Sequence, residues 1–221
     1  GDVYKRQGNA SAKSAVDVAL HDAWATGLGV PLAVALGGRP DAHAPTDMTI
    51  SLDDPEAMAR EAVAASSDGF EILKVKLGGD PAVDLNRLES VHEAVPSARF
   101  RLDANQGWGA KEAIRMIRRI EDAGIPVDLV EQPTPKANLE ALAQVTAAVD
   151  TPIMADESVA DERDAWEILR REAADLINIK LAKCGGIRPA LAIADLAATA
   201  GVGCMMGAMM EPRVSVAAAA H

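Results

Sequence analysis

Five charged residues, each closing an apolar run, recur along the chain at nearly one interval. Lys76 ends ILKVK, Asp103 ends FRLD, Glu131 ends DLVE, Asp156 ends IMAD and Lys180 ends INIK. The gaps between them are 27, 28, 25 and 24 residues. One strand, one helix and two short loops fill about that length when strands alternate with helices in a parallel sheet. The five charges therefore belong at the C-terminal ends of successive parallel strands. In an eight-fold βα barrel that end is the catalytic face.

The rest of the chain agrees with this alternation. Residues 10–26 repeat apolar side chains at helical spacing, with Val16, Ala19, Leu20, Ala23 and Trp24 on one face. A short apolar helix, PLAVALGG, follows. Strands are then predicted at 46–52, 72–77, 99–103, 128–131, 153–155, 176–181 and 203–207. Helices are predicted at 55–66, 82–94, 110–123, 139–149, 162–174, 188–200 and from about 212 onward. Glycine and proline punctuate most units, as in Gly124 with Pro126. The expected fold class is α/β, a (β/α)8-type barrel with about seven βα units present. With 221 residues the chain is near the low end for a complete barrel. A sheet left open would expose two unpaired edges, so the expectation is that an eighth strand is missing and the sequence is truncated. The expected organisation is a non-native leader at 1–8 (GDVYKRQ holds the only tyrosine), a helical linker at 9–42 and an incomplete catalytic barrel at 43–221.

Charge narrows the function. A net charge of −11 and a pI of about 4.8 argue against nucleic acid, which requires clustered lysine and arginine, and against anionic membranes. Cys184 and Cys204 offer no disulfide framework, and no signal peptide or spanning segment is evident, so a reduced, cytoplasmic setting is expected.

Asp103, Glu131 and Asp156 end three neighbouring strands. Carboxylates converging at a rim repel one another unless a cation lies between them, and hard oxygen ligands with room for water and substrate suit one Mg²⁺. Any single aspartate here would read equally well as a helix cap; three at matched positions do not. Lys74 and Lys76 alternate along one strand, so both point the same way. A strand covered on both faces should be apolar there, so two such lysines require a function, and a buried lysine serves readily as a base. Lys180 ends the sixth strand, on the far side of the acids. Such a metal would stabilise charge on a substrate carboxylate as the adjacent C–H loses its proton, and a base on each face inverts the stereocentre.

In order along the chain, KVK, DANQGW, EQP, ADES and KLAKCGG resemble the enolase superfamily, muconate-lactonising subgroup, from about residue 9 to 221. The superfamily's lysine or histidine bases and Mg²⁺ are well known. The resemblance implies Mg²⁺ ligands Asp103, Glu131 and Asp156, bases Lys76 and Lys180, and Lys74 tuning Lys76. Asn105 and Glu157 would orient the ligands. Within the superfamily the chain is most similar to dipeptide epimerases of the L-Ala-D/L-Glu type, through TDMTIS, KCGGI and the segment CMMGAMMEP. That likeness implies substrate contacts from Thr46, Gly207, Ala208 and Met209, with Ala208 standing where the group usually has serine. It also implies that most of an N-terminal capping domain is missing, as is an eighth-strand Asp-x-Asp pair for the dipeptide ammonium.

The expected activity is a Mg²⁺-dependent epimerisation, a 1,1-proton transfer through an enolate, on a dipeptide such as L-Ala-L-Glu or a related carboxylate. This chain by itself is expected to be inactive. A homo-oligomer is compatible with the sequence; nucleic-acid and membrane partners are not expected. The same rim residues would serve a muconate cycloisomerase, an o-succinylbenzoate synthase or an N-acylamino acid racemase. A non-catalytic metal- or carboxylate-binding barrel is the reading from another class, and a binder needs no base on each face. The four histidines are scattered and do not fall at metal-ligand spacing.

Overall fold

The computed structural model describes residues 8–39 and 41–221; the expected leader therefore lies outside the described residues, apart from Gly8. In chain order the elements are α1 (Ala10–Leu28), α2 (Leu32–Ala35), β1 (Met48–Ile50), α3 (Pro55–Ser67), β2 (Ile72–Lys76), α4 (Pro81–Ala94), β3 (Arg99–Asp103), α5 (Ala110–Asp122), β4 (Val127–Glu131), α6 (Leu139–Thr146), β5 (Ile153–Ala155), α7 (Glu162–Leu169), β6 (Leu176–Lys180), α8 (Leu181–Cys184), α9 (Ile187–Thr199), β7 (Gly203–Gly207) and α10 (Arg213–Ala220). The chain divides into two compact units. One is Pro45–Ser158 with Arg170–Leu176; the other comprises Gly1–Ala44, Val159–Leu169 and Ile177–His221.

In the first unit β1 to β5 pair in parallel, each with the next in the chain. Strand alternation sorts the side chains onto two faces. Leu73 and Val75 of β2, Phe100 and Leu102 of β3 and Val130 of β4 are fully buried. The other face carries Lys74, Lys76, Arg101, Asp103 and Glu131. The helices begin where the sequence places caps. Asp54 accepts from the Ala57 N–H at 3.0 Å, Asp80 from Ala82 at 2.9 Å and Asn138 from Ala141 at 3.0 Å. Pro55 and Pro81 fill the first helical positions, where no N–H is needed. Helix α5 buries Ala113, Met116, Ile117 and Ile120, a stripe at helical spacing. Phe100→Ala is expected to lower the unfolding free energy by about 3–5 kcal/mol, read from urea denaturation, because the cavity it leaves is walled by packed strands and helices.

Two helices stop earlier than the sequence pattern implies. Helix α6 ends at Thr146, whose hydroxyl donates to the carbonyls of Leu142 and Ala173. Helix α7 ends at Leu169, and Glu172 beyond it adopts φ 51°, which no helix continues.

In the second unit β6 and β7 are sheet neighbours. Helix α1 turns the opposite stripe inward from the one its apolar periodicity marks. Val16, Leu20 and Trp24 are exposed, while Ser14, Asp17, Val18 and Ala25 are buried. The reason is Asp17: its Oδ2 accepts from the N–H of Ile187 at 2.7 Å and of Arg188 at 3.4 Å, the open amides at the start of α9. Gly186 permits this approach, since a Cβ there would stand 2.5 Å from Asp17 Oδ2. The one-turn helix α8 follows β6 directly, between the predicted strand and helix, and Gly185 at φ 95° ends it. Among the described residues no helix is long and apolar enough to cross a membrane.

Candidate active site

Parallel pairing brings the strand-end charges into one row. Lys76 is in register with Asp103, and Asp103 with Glu131. The second of these depends on an irregularity. Phe100 faces Val127, but Arg101 faces Leu129, so Asp128 is an extra residue in β4. A one-residue slip reverses every later side chain; the bulge at Asp128 restores the phase that puts Glu131 beside Asp103. Arg99 holds the extra residue through Asp128 Oδ1 at 2.9 Å.

The charges then neutralise in pairs. Lys74 Nζ bridges Glu131 Oε2 at 2.5 Å and Asp103 Oδ2 at 2.9 Å. Lys76 Nζ donates to Asp103 Oδ2 at 2.7 Å and Asn105 Oδ1 at 2.8 Å. Asp103, Glu131 and Asp156 are all buried. Burial opposes the charge on Lys74, but the carboxylates of Glu131 and Asp103 outweigh it and hold the ammonium above the usual lysine range. Burial likewise opposes the charge on Asp103, yet Lys74 and Lys76 keep its carboxyl below the usual range. Glu131 goes the other way. Burial, then repulsion from Asp103, raise it; Lys74 opposes them and Asp156 adds to them. Glu131 therefore feels both other acids. Among the described residues no three histidine, cysteine or acidic side chains are gathered closely enough to hold a metal ion as they stand; here ammonium groups lie against the acids.

The loops beyond the strands are held as firmly. Asp84, wholly buried in α4, accepts from the N–H groups of Gly78 and Gly79 at 2.9 and 2.8 Å and from Trp108 Nε1 at 3.3 Å. This ties the loop after β2 to the loop after β3. Asn105, at φ 44°, donates from Nδ2 to Glu157 Oε1 at 3.2 Å, so the Lys76 amine, Asn105 and Glu157 form one chain of contacts.

The structure thus gathers Lys74, Lys76, Asp103, Asn105, Glu131, Asp156 and Glu157 in one unit. Thr46 was expected at the substrate. It precedes β1 and lines a shallow recess with Pro45, Asp68, Gly69, Phe70, Glu71 and Ile72, at the entry end of the strands and away from the acids. Thr49, in register with Lys74, is the β1 threonine on the charged face. Lys180 closes β6 and is buried in the other unit. In that unit Gly207 ends β7, where a Cβ would stand 2.4 Å from Asn178 Oδ1. Ala208 follows it, and Met209 is exposed. Two structural residues were not anticipated from the sequence, Asp84 and Gln132; EQP marked the second without giving it a role.

A parallel α/β sheet with buried acids and lysines at its strand ends defines a barrel-type domain built around a carboxylate–lysine centre. The family described as Enolase C-terminal domain-like matches residues 57–221, and the chain belongs to that family. It is 50% identical over 216 residues to the L-Ala-D/L-Glu epimerase of Bacillus subtilis (strain 168), covering 97% of this chain and 59% of that protein. A substrate-liganded structure of the Bacillus subtilis epimerase superposes with a TM-score of 0.94 at 49% identity, over 97% of this chain and 60% of that one. The dipeptide epimerase of Enterococcus faecalis V583, solved with Mg and L-Leu-L-Tyr, superposes with a TM-score of 0.93 at 41% identity, over 97% and 60%. Muconate cycloisomerase 1 of Rhodococcus opacus is 39% identical over 213 residues, 95% of this chain and 57% of that protein. The chain spans about three fifths of the length of the curated relatives it matches.

Proposed function

We propose that this chain carries the metal- and base-bearing part of a Mg²⁺-dependent epimerase acting on a dipeptide such as L-Ala-L-Glu. The observation that carries the reading is the row Lys76–Asp103–Glu131, with Lys74 and Asp156 against it. The residue types fit the metal, once the ammonium groups now on Asp103 and Glu131 give way to it. Three buried carboxylates offer hard oxygen ligands, and the repulsion that raises Glu131 is what a small divalent cation relieves. Asp103, Glu131 and Asp156 would hold it. Bound there, Mg²⁺ supplies positive charge for the substrate carboxylate as its α C–H breaks.

Lys76 Nζ would take the α-proton from one stereoisomer while Lys180 delivers a proton to the opposite face of the α-carbon, with Asn105 Oδ1 fixing where the Lys76 amine points. For the other stereoisomer the two lysines would exchange roles. Without the metal, the charged Lys74 keeps Asp103 and Glu131 together, a role the bound cation would take over. A cycloisomerase needs the same acids and lysines; the higher identity to the Bacillus subtilis epimerase than to the Rhodococcus opacus cycloisomerase favours epimerisation. Because the chain by itself is expected to be inactive, the test is ¹H NMR of L-Ala-L-Glu with Mg²⁺ in D₂O, run on a chimera in which this chain replaces the matching three fifths of the Bacillus subtilis epimerase. Loss of the glutamate α-proton signal is expected, together with appearance of L-Ala-D-Glu. Mg²⁺ binding without any exchange would sink the proposal and favour a non-catalytic binder.

Lys74→Met is a second check. It leaves two buried acids facing each other without their bridge, which should cost about 3–5 kcal/mol. The rise in melting temperature on adding Mg²⁺ should then be larger than in the wild type, since the cation takes over the neutralising role.

A further inference from the structure

Gln132 follows the second acid and is wholly buried, at φ 36°, a left-handed conformation that a residue with a Cβ adopts only when its surroundings require it. Its side-chain amide has two donors and two acceptor positions, and all are used. Oε1 accepts from the N–H of Asp156 at 2.9 Å and of Ser158 at 3.1 Å. Nε2 donates to Thr134 O and to Ser158 Oγ, both at 2.9 Å. Its main chain adds two more bonds, from its own N–H to Met154 O and from the Gln106 N–H to its carbonyl, each at 2.8 Å. One residue therefore ties together the ends of β3, β4 and β5.

We infer that Gln132 is the positioning residue that sets the spacing between Glu131 and Asp156, and so the metal affinity of the site. Its covalent neighbour is one ligand of the proposed centre, and its amide oxygen holds the backbone of another. The left-handed turn aims the Gln132 side chain across to β5, while Glu131 keeps the row with Asp103. The inference rests on the reading of Asp103, Glu131 and Asp156 as Mg²⁺ ligands.

The test is calorimetric titration of Mg²⁺ into the 221-residue chain, at a temperature where urea curves show every variant folded. Gln132→Met keeps the volume and loses all four amide bonds; Mg²⁺ affinity is expected to fall by about 10- to 100-fold. Gln132→Glu keeps both acceptor bonds, including the one to Asp156, and should recover affinity relative to the methionine variant. Ser158→Ala leaves the bond to Asp156 untouched and should bind within about threefold of wild type. If Gln132→Met does not fold, Gln132→Asn takes its place, because its amide stops one carbon short, and the same loss is expected. Wild-type affinity in the methionine or asparagine variant would overturn the inference, and so would an equal loss in Ser158→Ala. A wild-type chain that binds no Mg²⁺ would instead overturn the reading on which the inference rests.

Discussion

Alanine at position 76 or 180 is expected to abolish epimerisation while sparing proton exchange from one stereoisomer. Each lysine is proposed to serve one face of the substrate α-carbon, so inversion needs both and exchange needs one. Losing a positioned acid–base group costs about 10²- to 10⁴-fold in rate, and conversion of L-Ala-L-Glu should fall by that much in both directions. In Lys180→Ala the isomer served by Lys76 should still lose its α-proton to D₂O; in Lys76→Ala the selectivity should reverse. Lys76→Ala should carry an added defect, because Asp103 and Asn105 both lose their contact with its amine. Deuterium incorporation into L-Ala-L-Glu and L-Ala-D-Glu, followed separately by NMR with the variants placed in the chimera with the Bacillus subtilis epimerase, reads the outcome. Equal exchange from both isomers in either variant would contradict the two-base scheme.

Gly78→Ala is expected to be the most damaging substitution outside the charged row. Gly78 sits at φ 114°, and a Cβ there would stand 2.1 Å from the Ala104 carbonyl oxygen and 3.0 Å from its carbon. Those are backbone atoms of the segment that follows Asp103, and no rotamer change relieves the clash. Gly107 meets the same loop from the other side, with a Cβ 2.2 Å from Gly78 O. The two loops must separate, and Asp84 then loses its bonds to Gly78, Gly79 and Trp108. Costs above about 4 kcal/mol are exceptional for one substitution, and this one should reach that range against a total stability of about 5–15 kcal/mol. Gly27→Ala is the control: it lies inside α1 with nothing within 4 Å of a Cβ, and should stabilise by about 0.5–1 kcal/mol. Urea denaturation of both variants checks the pair. A Gly78→Ala variant as stable as wild type would contradict the close approach of Gly78 to Ala104.

What the sequence made legible was periodic. Strands β3, β5 and β7 begin and end where alternation and punctuation put them, and the spacing of Lys76, Asp103, Glu131 and Asp156 located the strand ends. What it hid was non-local. DLVE reads as plain alternation, and only pairing with β3 reveals Asp128 as a bulge. An aspartate inside a helix, such as Asp84, reads as a solvated charge until the amides of Gly78 and Gly79 are seen to close on it. Asp17 is the same case in α1, where a buried carboxylate overrides the apolar stripe in choosing the inner face. The likeness of TDMTIS pointed to Thr46 without giving the strand's register; the hydrogen-bonded part begins at Met48 and brings Thr49 to the charged face.

The central claim is that Asp103, Glu131 and Asp156 form one metal centre. An anomalous difference map from crystals grown with Mn²⁺ tests it most directly. The account predicts one strong peak ligated by all three carboxylates, with Lys74 Nζ withdrawn from its bridge between Glu131 and Asp103. A map without a peak at those carboxylates, with Lys74 still bridging them, would contradict it.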